Sequence, residues 1–416
     1  MASVRAILHA SELLTGAGIR EKNGRRPQEE DLSRIPDGAL VYRTRVQAGK
    51  EIPDRILWVG RTSDLPKKYL KVPSRSLRKK NCLVPGLIDC HTHLVFAGNR
   101  ADEFAARCAG VSYEEIASQG GGILKTMNAT REATLEELEK LAIPRVKEAL
   151  SFGVRTLEIK SGYGLSPEAE LKQLRVIQKL KKRFPEITFQ STFLGAHGFP
   201  PDCSRGEYLS QLIHQMLPEV ARAKLADACD VFVDRGYFTS EEATRILTVA
   251  KKLGLAIKIH GDELSNTESA SLAARMGALS VDHLLKISET GIQALAQSET
   301  VGVLLPGTAF YLKADHAPAR SLIDAGAIVA LSTDFNPGTC MTLSLPVIMT
   351  LAALYLKMSR AEIFAAVTFN AAKALGLHAR KGTLEPGMDA DAVALPFSSF
   401  EETYYRFAWS PSAVSR

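Results

Sequence analysis

Two histidines one residue apart, His91 and His93, follow an apolar run at 83–88. In an extended chain alternate residues face the same side, so both imidazoles point one way. Such a pair suits a divalent metal ion. Four more polar residues each stand just past a short apolar run: His197 after 188–194, His260 after 256–259, His283 after 279–281 and Asp334 after 328–331. Taken singly, a histidine in this setting is usually a hydrogen-bonded structural residue. An aspartate after Ser-Thr is usually a turn former. Five of the nine histidines plus an aspartate in the same setting make unrelated structural reasons a poor account. Imidazole and carboxylate donors without thiolate suit Zn²⁺, and also Fe²⁺, Mn²⁺ or Co²⁺. Three histidines and one aspartate leave room for a water, which the metal acidifies. A nearby histidine or carboxylate then handles protons.

Some barrels with such sites bridge two metals through a carboxylated lysine on the fourth strand. Here the fourth run, 230–233, is followed by Asp234 and holds no lysine, and Lys160 follows the second run. One metal is therefore expected, with Lys160 in a structural ion pair. Arg100 lies seven residues beyond His93. A guanidinium there suits an anionic substrate through paired hydrogen bonds, or else a salt bridge within its own loop. The loops 161–164 (Ser-Gly-Tyr-Gly) and 336–339 (Asn-Pro-Gly-Thr) suit backbone contact with a ligand. The three glycines 120–122 lack the Lys-Ser/Thr context of a phosphate loop.

These residues need elements to place them. Eight apolar runs, at 83–88, 156–159, 188–194, 230–233, 256–259, 279–281, 301–305 and 328–331, alternate with helix-like segments. That pattern points to an α/β chain folded as a (β/α)8 TIM-type barrel, whose chemistry sits at the C-terminal strand ends. Capping-box patterns open helices at Thr134…Glu137, Thr239…Glu242 and Ser359…Glu362, with stops near Gly153, Gly254 and Gly376. Ser166-Pro167 opens another, and Pro185 follows its end. Residues 1–82 suggest short strands at 40–42 and 55–59, and the tail is strand-like again at 391–396. The expected division is a small β-sandwich-like domain from 1–82 plus 380–416, and a barrel over 83–379.

Composition sets the outer limits. The chain has 416 residues, 45% hydrophobic and 24% charged, which excludes disorder or coiled coil as the main reading. No apolar run reaches the length of a membrane span, and no signal-peptide pattern opens the sequence. Lys+Arg minus Asp+Glu is 52 − 46 = +6. Residues 1–80 hold 18 basic and 9 acidic residues, leaving 34 − 37 = −3 for the rest. Without a nucleic-acid motif, the basic segment reads as a solvated face, so neither nucleic acid nor membrane is an expected partner. Six scattered cysteines with no Cys-x-x-Cys read as reduced thiols, and the cytoplasm is the expected location.

Residues 85–93 (Pro-Gly-Leu-Ile-Asp-Cys-His-Thr-His) resemble the first-strand motif of the amidohydrolase superfamily of metal-dependent hydrolases. The stretches 89–104, 120–123, 160–165, 193–197, 260–263, 280–283, 305–308 and 332–339 narrow the resemblance. They are similar to members that hydrolyse the cyclic amide of 4-imidazolone-5-propanoate to N-formimino-L-glutamate in histidine degradation. The resemblance implies one Zn or Fe ion per chain, held by His91, His93, His260 and Asp334. It implies that Arg100 holds the propanoate carboxylate, and that Tyr113, Tyr163 and His197 line the pocket. Glu263 and His283 would handle protons beside Asp334, with Glu263 also touching substrate. Asn336, Gly338 and Thr339 would contact the ligand. Glu263 lies three residues past His260, so it can face the same cavity; a first-turn helix carboxylate is its plainer role. Competing readings are a ring deaminase of the same superfamily, which needs no arginine for a carboxylate, and a non-catalytic binding barrel. A homodimer is common for such barrels.

Overall fold

The computed structural model describes residues 3–47, 49–111, 115 and 120–411. Its centre is a parallel barrel of eight strands: β6 (Leu87–Asp89), β7 (Val154–Lys160), β8 (Thr188–Ala196), β9 (Ala228–Val233), β10 (Ala256–Gly261), β11 (Ser280–His283), β12 (Val301–Leu304) and β13 (Ile328–Leu331). Each pairs with the next in sequence order. β9, β11, β12 and β13 are buried along their whole length, as strands covered on both faces must be. The last strand meets the first through a parallel bridge, Thr92 to Phe335. At that seam Asp334 N donates to His91 O (3.0 Å) and His93 N to Phe335 O (2.9 Å). Asp89 tightens it, accepting from Thr333 N (3.0 Å), Thr333 Oγ1 (2.7 Å) and Ser332 Oγ. All eight sequence-read runs contribute a barrel strand.

Both ends of the chain build a second sheet: β1 (Val4–Leu14), β2 (Arg34–Gln47), β3 (Lys50–Arg61), β4 (Ser74–Ser76), β5 (Cys82–Pro85) and β14 (Ala392–Leu395). Its order is β14-β5-β1-β2-β3, with β4 beside β1. Residues 40–42 and 55–59 are thus the middles of two long strands. The run at 83–88 is not one strand. It changes sheets at Gly86, where a Cβ would lie 2.6 Å from Arg155 Cβ and 2.8 Å from Asp391 Oδ1. Only a residue without a side chain passes there.

The predicted capping boxes are all present, opening helices Leu135–Ser151, Ser240–Lys252 and Arg360–Ala366. Ser166 caps Pro167–Arg183 as read. The helix expected from Ser359 to Gly376 is two helices, Arg360–Ala366 and Phe369–Ala374. Thr368 breaks it at φ −128°, ψ −96°. No described helix is long and apolar enough to cross a membrane.

Candidate active site

The C-terminal strand ends bring His91, His93, His197, His260, His283 and Asp334 together. His91 Nε2 and His93 Nε2 lie 3.4 and 3.5 Å from Asp334 Oδ1. The His260 ring is centred 4.5 Å from that of His91 and 5.5 Å from that of His93. Two donor groups overlap at His91: His91, His93 and Asp334, and His91, His260 and His283. Within each, the donor atoms lie within 4.8 Å of one another.

The donors are chemically ready for a cation. His91 Nε2 and His260 Nε2 are buried and have no hydrogen-bond partner. An orphaned buried nitrogen costs energy unless something fills its lone pair. Burial holds His91, His93 and His283 well below the usual histidine range, so these rings are neutral, as a ligand must be. Burial pushes Asp334 up to about 7. Thr308 Oγ1 donates to Asp334 Oδ2 (2.6 Å), which leaves Oδ1 toward the histidines. His283 and Asp334 adopt φ +83° and +51°, backbone left-handed at two candidate functional residues.

Carboxylates back the rings. Asp282 Oδ2 lies 2.6 Å from His91 Nδ1, and Asp230 Oδ2 lies 2.9 Å from His260 Nδ1. The hydrogen-bonded Asp282 fixes the His91 ring and turns its Nε2 toward a metal, while Asp230 stands close to His260 Nδ1 without hydrogen-bond alignment. Lys160 is buried between Glu158 and Asp230, 2.8 Å from each, in the structural ion pair expected.

A cavity of about 800 Å³ opens above this centre, lined by Arg100, Tyr163, His197, Glu263, His283 and Asp334 among others. Arg100 Nε donates to Glu103 Oε2 (2.7 Å), and Glu103 Oε1 accepts from Gly122 N (3.2 Å). Arg100 thus makes the loop salt bridge and also lines the cavity. His197 stacks on His93 with centroids 5.0 Å apart, and its Nδ1 lies 3.0 Å from Gly162 O. Tyr163 is buried beside them in a loop held by Glu170, which accepts from the amides of Gly162, Gly164 and Leu165. Glu263 Oε1 lies 3.5 Å from His283 Nδ1. Burial, then Asp334 and Asp234, push the Glu263 carboxyl well above its ordinary range.

The loop after β13 differs in detail from the reading. Asn336 and Thr339 line the cavity. Asn336 spends its amide on the loop, donating to Asp334 O and Thr339 Oγ1 and accepting from the amides of Gly338 and Thr339. Gly338 makes space: a Cβ there would lie 2.1 Å from Arg100 Nη1. Tyr113 lies outside the described residues.

Several residues escaped the sequence reading. Asp282 and Asp230 back the rings, Thr308 orients Asp334, and Glu103 holds Arg100. Asp234 Oδ2 accepts from the amides of Glu263 and Leu264. The only signal was proximity: Asp282 precedes His283, and Glu103 follows Arg100 by three residues.

The amidohydrolase family profile matches residues 82–408. The imidazolonepropionase of Porphyromonas gingivalis is 42% identical over 96% of this chain and 93% of its own. That of Bdellovibrio bacteriovorus is 45% identical over 92% and 89%, and that of Geobacillus kaustophilus 48% over 79% and 78%. Among solved structures, a zinc-bound adenosine deaminase from Xanthomonas campestris superposes with a TM-score of 0.66 at 18% identity, covering 96% of this chain and 86% of that one. A guanine deaminase from C. acetobutylicum with bound guanine gives 0.66 at 16%, covering 94% and 90%. At such identities the structures speak for the fold alone. With the barrel, the histidine–aspartate centre and relatives matched over nearly its whole length, the chain belongs to the amidohydrolase family, among the imidazolonepropionases.

Proposed function

We propose that the chain hydrolyses the ring amide of 4-imidazolone-5-propanoate to N-formimino-L-glutamate, with one zinc or iron ion held by His91, His93, His260 and Asp334. The observation that carries this is one cavity shared by a buried histidine–aspartate donor set and a buried arginine. A ring deaminase acting on a neutral base has no use for that arginine.

When bound, the metal polarises a carbonyl and acidifies water. The protein's own groups do the rest. Arg100, steadied by Glu103, pairs with the propanoate carboxylate and fixes the ring's orientation. Tyr163 and His197 pack against the ring and keep bulk water off it. Glu263 takes a proton from the attacking water and returns it to the ring nitrogen as the C–N bond breaks. The water oxygen ends on the carbonyl carbon and its proton on the nitrogen, so atoms balance. A carboxyl whose proton affinity is raised by burial suits that double duty. His283, 3.5 Å from Glu263 Oε1, steadies whichever form it holds. Asn336, Gly338 and Thr339 shape the wall beside Arg100. The proposal extends to a cytoplasmic homodimer.

The test is turnover of freshly prepared 4-imidazolone-5-propanoate against a no-enzyme control, with bound metal quantified on the same sample. Turnover with about one Zn or Fe per chain is the expected result. Metal-loaded but inactive protein refutes the substrate and keeps the family.

A further inference from the structure

One layer deeper in the barrel than the candidate ligands lies a second group of charges, two of which also stand behind the ligand rings. Lys258 precedes His260 by two residues on β10, and Glu158 precedes Lys160 by two on β7, so each pair faces the same side. Glu158, Lys160, Asp230, Lys258 and Asp282 are all at most 1% exposed. Lys160 Nζ lies 2.8 Å from Glu158 Oε1, 2.8 Å from Asp230 Oδ2 and 3.6 Å from Asp282 Oδ2. Lys258 Nζ lies 3.1 Å from Glu158 Oε1 and 3.7 Å from Asp282 Oδ2, and donates to Cys90 O at 3.0 Å. Three buried carboxylates thus face two ammonium groups.

Two further observations bear on what this pocket can hold. Asp230, His260 and Asp282 present donor atoms all within 4.8 Å of one another, a grouping fit for a metal ion. Asp230 Oδ1 and Asp282 Oδ1 are buried and accept no hydrogen bond. The Lys160 ammonium sits among those very carboxylates. We propose that Lys160 is the built-in occupant of a second cation position, and that it restricts the centre to a single metal ion.

The physical reason lies in what the carboxylates also do. Asp282 Oδ2 and Asp230 Oδ2 face His91 Nδ1 and His260 Nδ1 while facing Lys160. An ammonium group supplies one positive charge and leaves those oxygens available to the rings. A divalent ion would take the same oxygens as ligands and compete with the rings for them. Without Lys160 the pocket would hold three carboxylates against one ammonium, a deficit that buried groups do not tolerate. A divalent ion would close it. The proposal rests on the assignment of the catalytic metal to His91, His93, His260 and Asp334, and the metal content of the unmodified chain reports on that separately.

The test is metal per chain, by plasma mass spectrometry, on full-length protein expressed with supplementary zinc and then desalted. Thermal melts with and without zinc accompany it. The unmodified chain is expected to hold one ion and Lys160→Ala two, with a larger zinc-dependent rise in Tm. Adding Asp230→Asn to Lys160→Ala is expected to lower the count again. Lys160→Ala holding one ion or none would overturn the proposal. So would a variant that stays insoluble in zinc-supplemented medium, because a substitute cation should restore the missing charge. A second ion indifferent to Asp230→Asn would place it elsewhere and overturn the proposal too. An unmodified chain without metal would instead refute the ligand assignment.

Discussion

Substituting Gly338 by alanine tests how Arg100 is held. The new Cβ would lie 2.1 Å from Arg100 Nη1, 2.7 Å from Cζ and 3.2 Å from Nη2. Ordinary carbon contacts begin near ~3.5 Å, so the guanidinium must move by about 1 Å or more. An exposed arginine would swing away freely. This one is buried and tied through Nε to Glu103 at 2.7 Å, so movement breaks that bond or misdirects the fork. A hydrogen bond to a charged group is worth about 1.5–3 kcal/mol. At about 1.4 kcal/mol per factor of ten, losing one of that size raises KM roughly 10- to 150-fold. Turnover at saturation should change less, because the reacting carbonyl lies at the other end of the substrate. The assay is steady-state hydrolysis of 4-imidazolone-5-propanoate, paired with the analogue whose carboxylate is replaced by an amide. The analogue should be almost indifferent to the substitution. Gly206→Ala is the control, since nothing lies within 4 Å of a Cβ there. An unchanged KM for Gly338→Ala, with the fold intact, would refute the role given to Arg100.

Three further outcomes are expected. Glu263→Gln should slow turnover by about 10²–10⁴-fold while leaving metal content unchanged, as general acid–base groups do; a simultaneous loss of metal would point to a ligand instead. Asp282→Asn should weaken metal affinity about 10- to 100-fold by releasing the His91 ring, measured by competition with a chelating dye. Metal affinity should fall as pH falls below about 7. Asp334 then carries a proton the metal must displace, whereas His91 and His93 are already neutral. Calorimetry in two buffers of different ionisation enthalpy should show about one proton released per ion at pH 6, and a pH-independent affinity over that range would contradict it.

The barrel was legible because burial leaves few explanations for a polar residue. Strands covered on both faces read as short apolar runs, and a histidine or aspartate just past most of them stands out. What stayed hidden depends on contacts between distant segments. Asp230 acts on a ring presented by the adjacent strand β10, whereas Asp282 reaches across the barrel to the ring of His91 beyond β6. Thr308 gains its role only where it meets Asp334, 26 residues away. The split at Gly86 follows from Arg155 and Asp391 crowding that one position. Asn336 shows the opposite case. Its loop was readable, yet whether its amide faces a ligand or its own backbone depended on four hydrogen bonds within the turn.

The sheet shared by the two chain ends has a consequence for biosynthesis. β5 is complete by residue 85, but its antiparallel neighbour β14 begins at Ala392. About 300 residues must be made between them, which at ~5–20 residues per second takes roughly 15–60 s. Throughout that interval one edge of β5 presents unpaired amides and carbonyls beside the apolar Cys82, Leu83 and Val84. The nascent chain therefore carries a sticky edge for about three-quarters of its length in synthesis. Chaperone demand should concentrate on that edge, and a chain truncated before Ala392 should aggregate through it even with every barrel strand already synthesised.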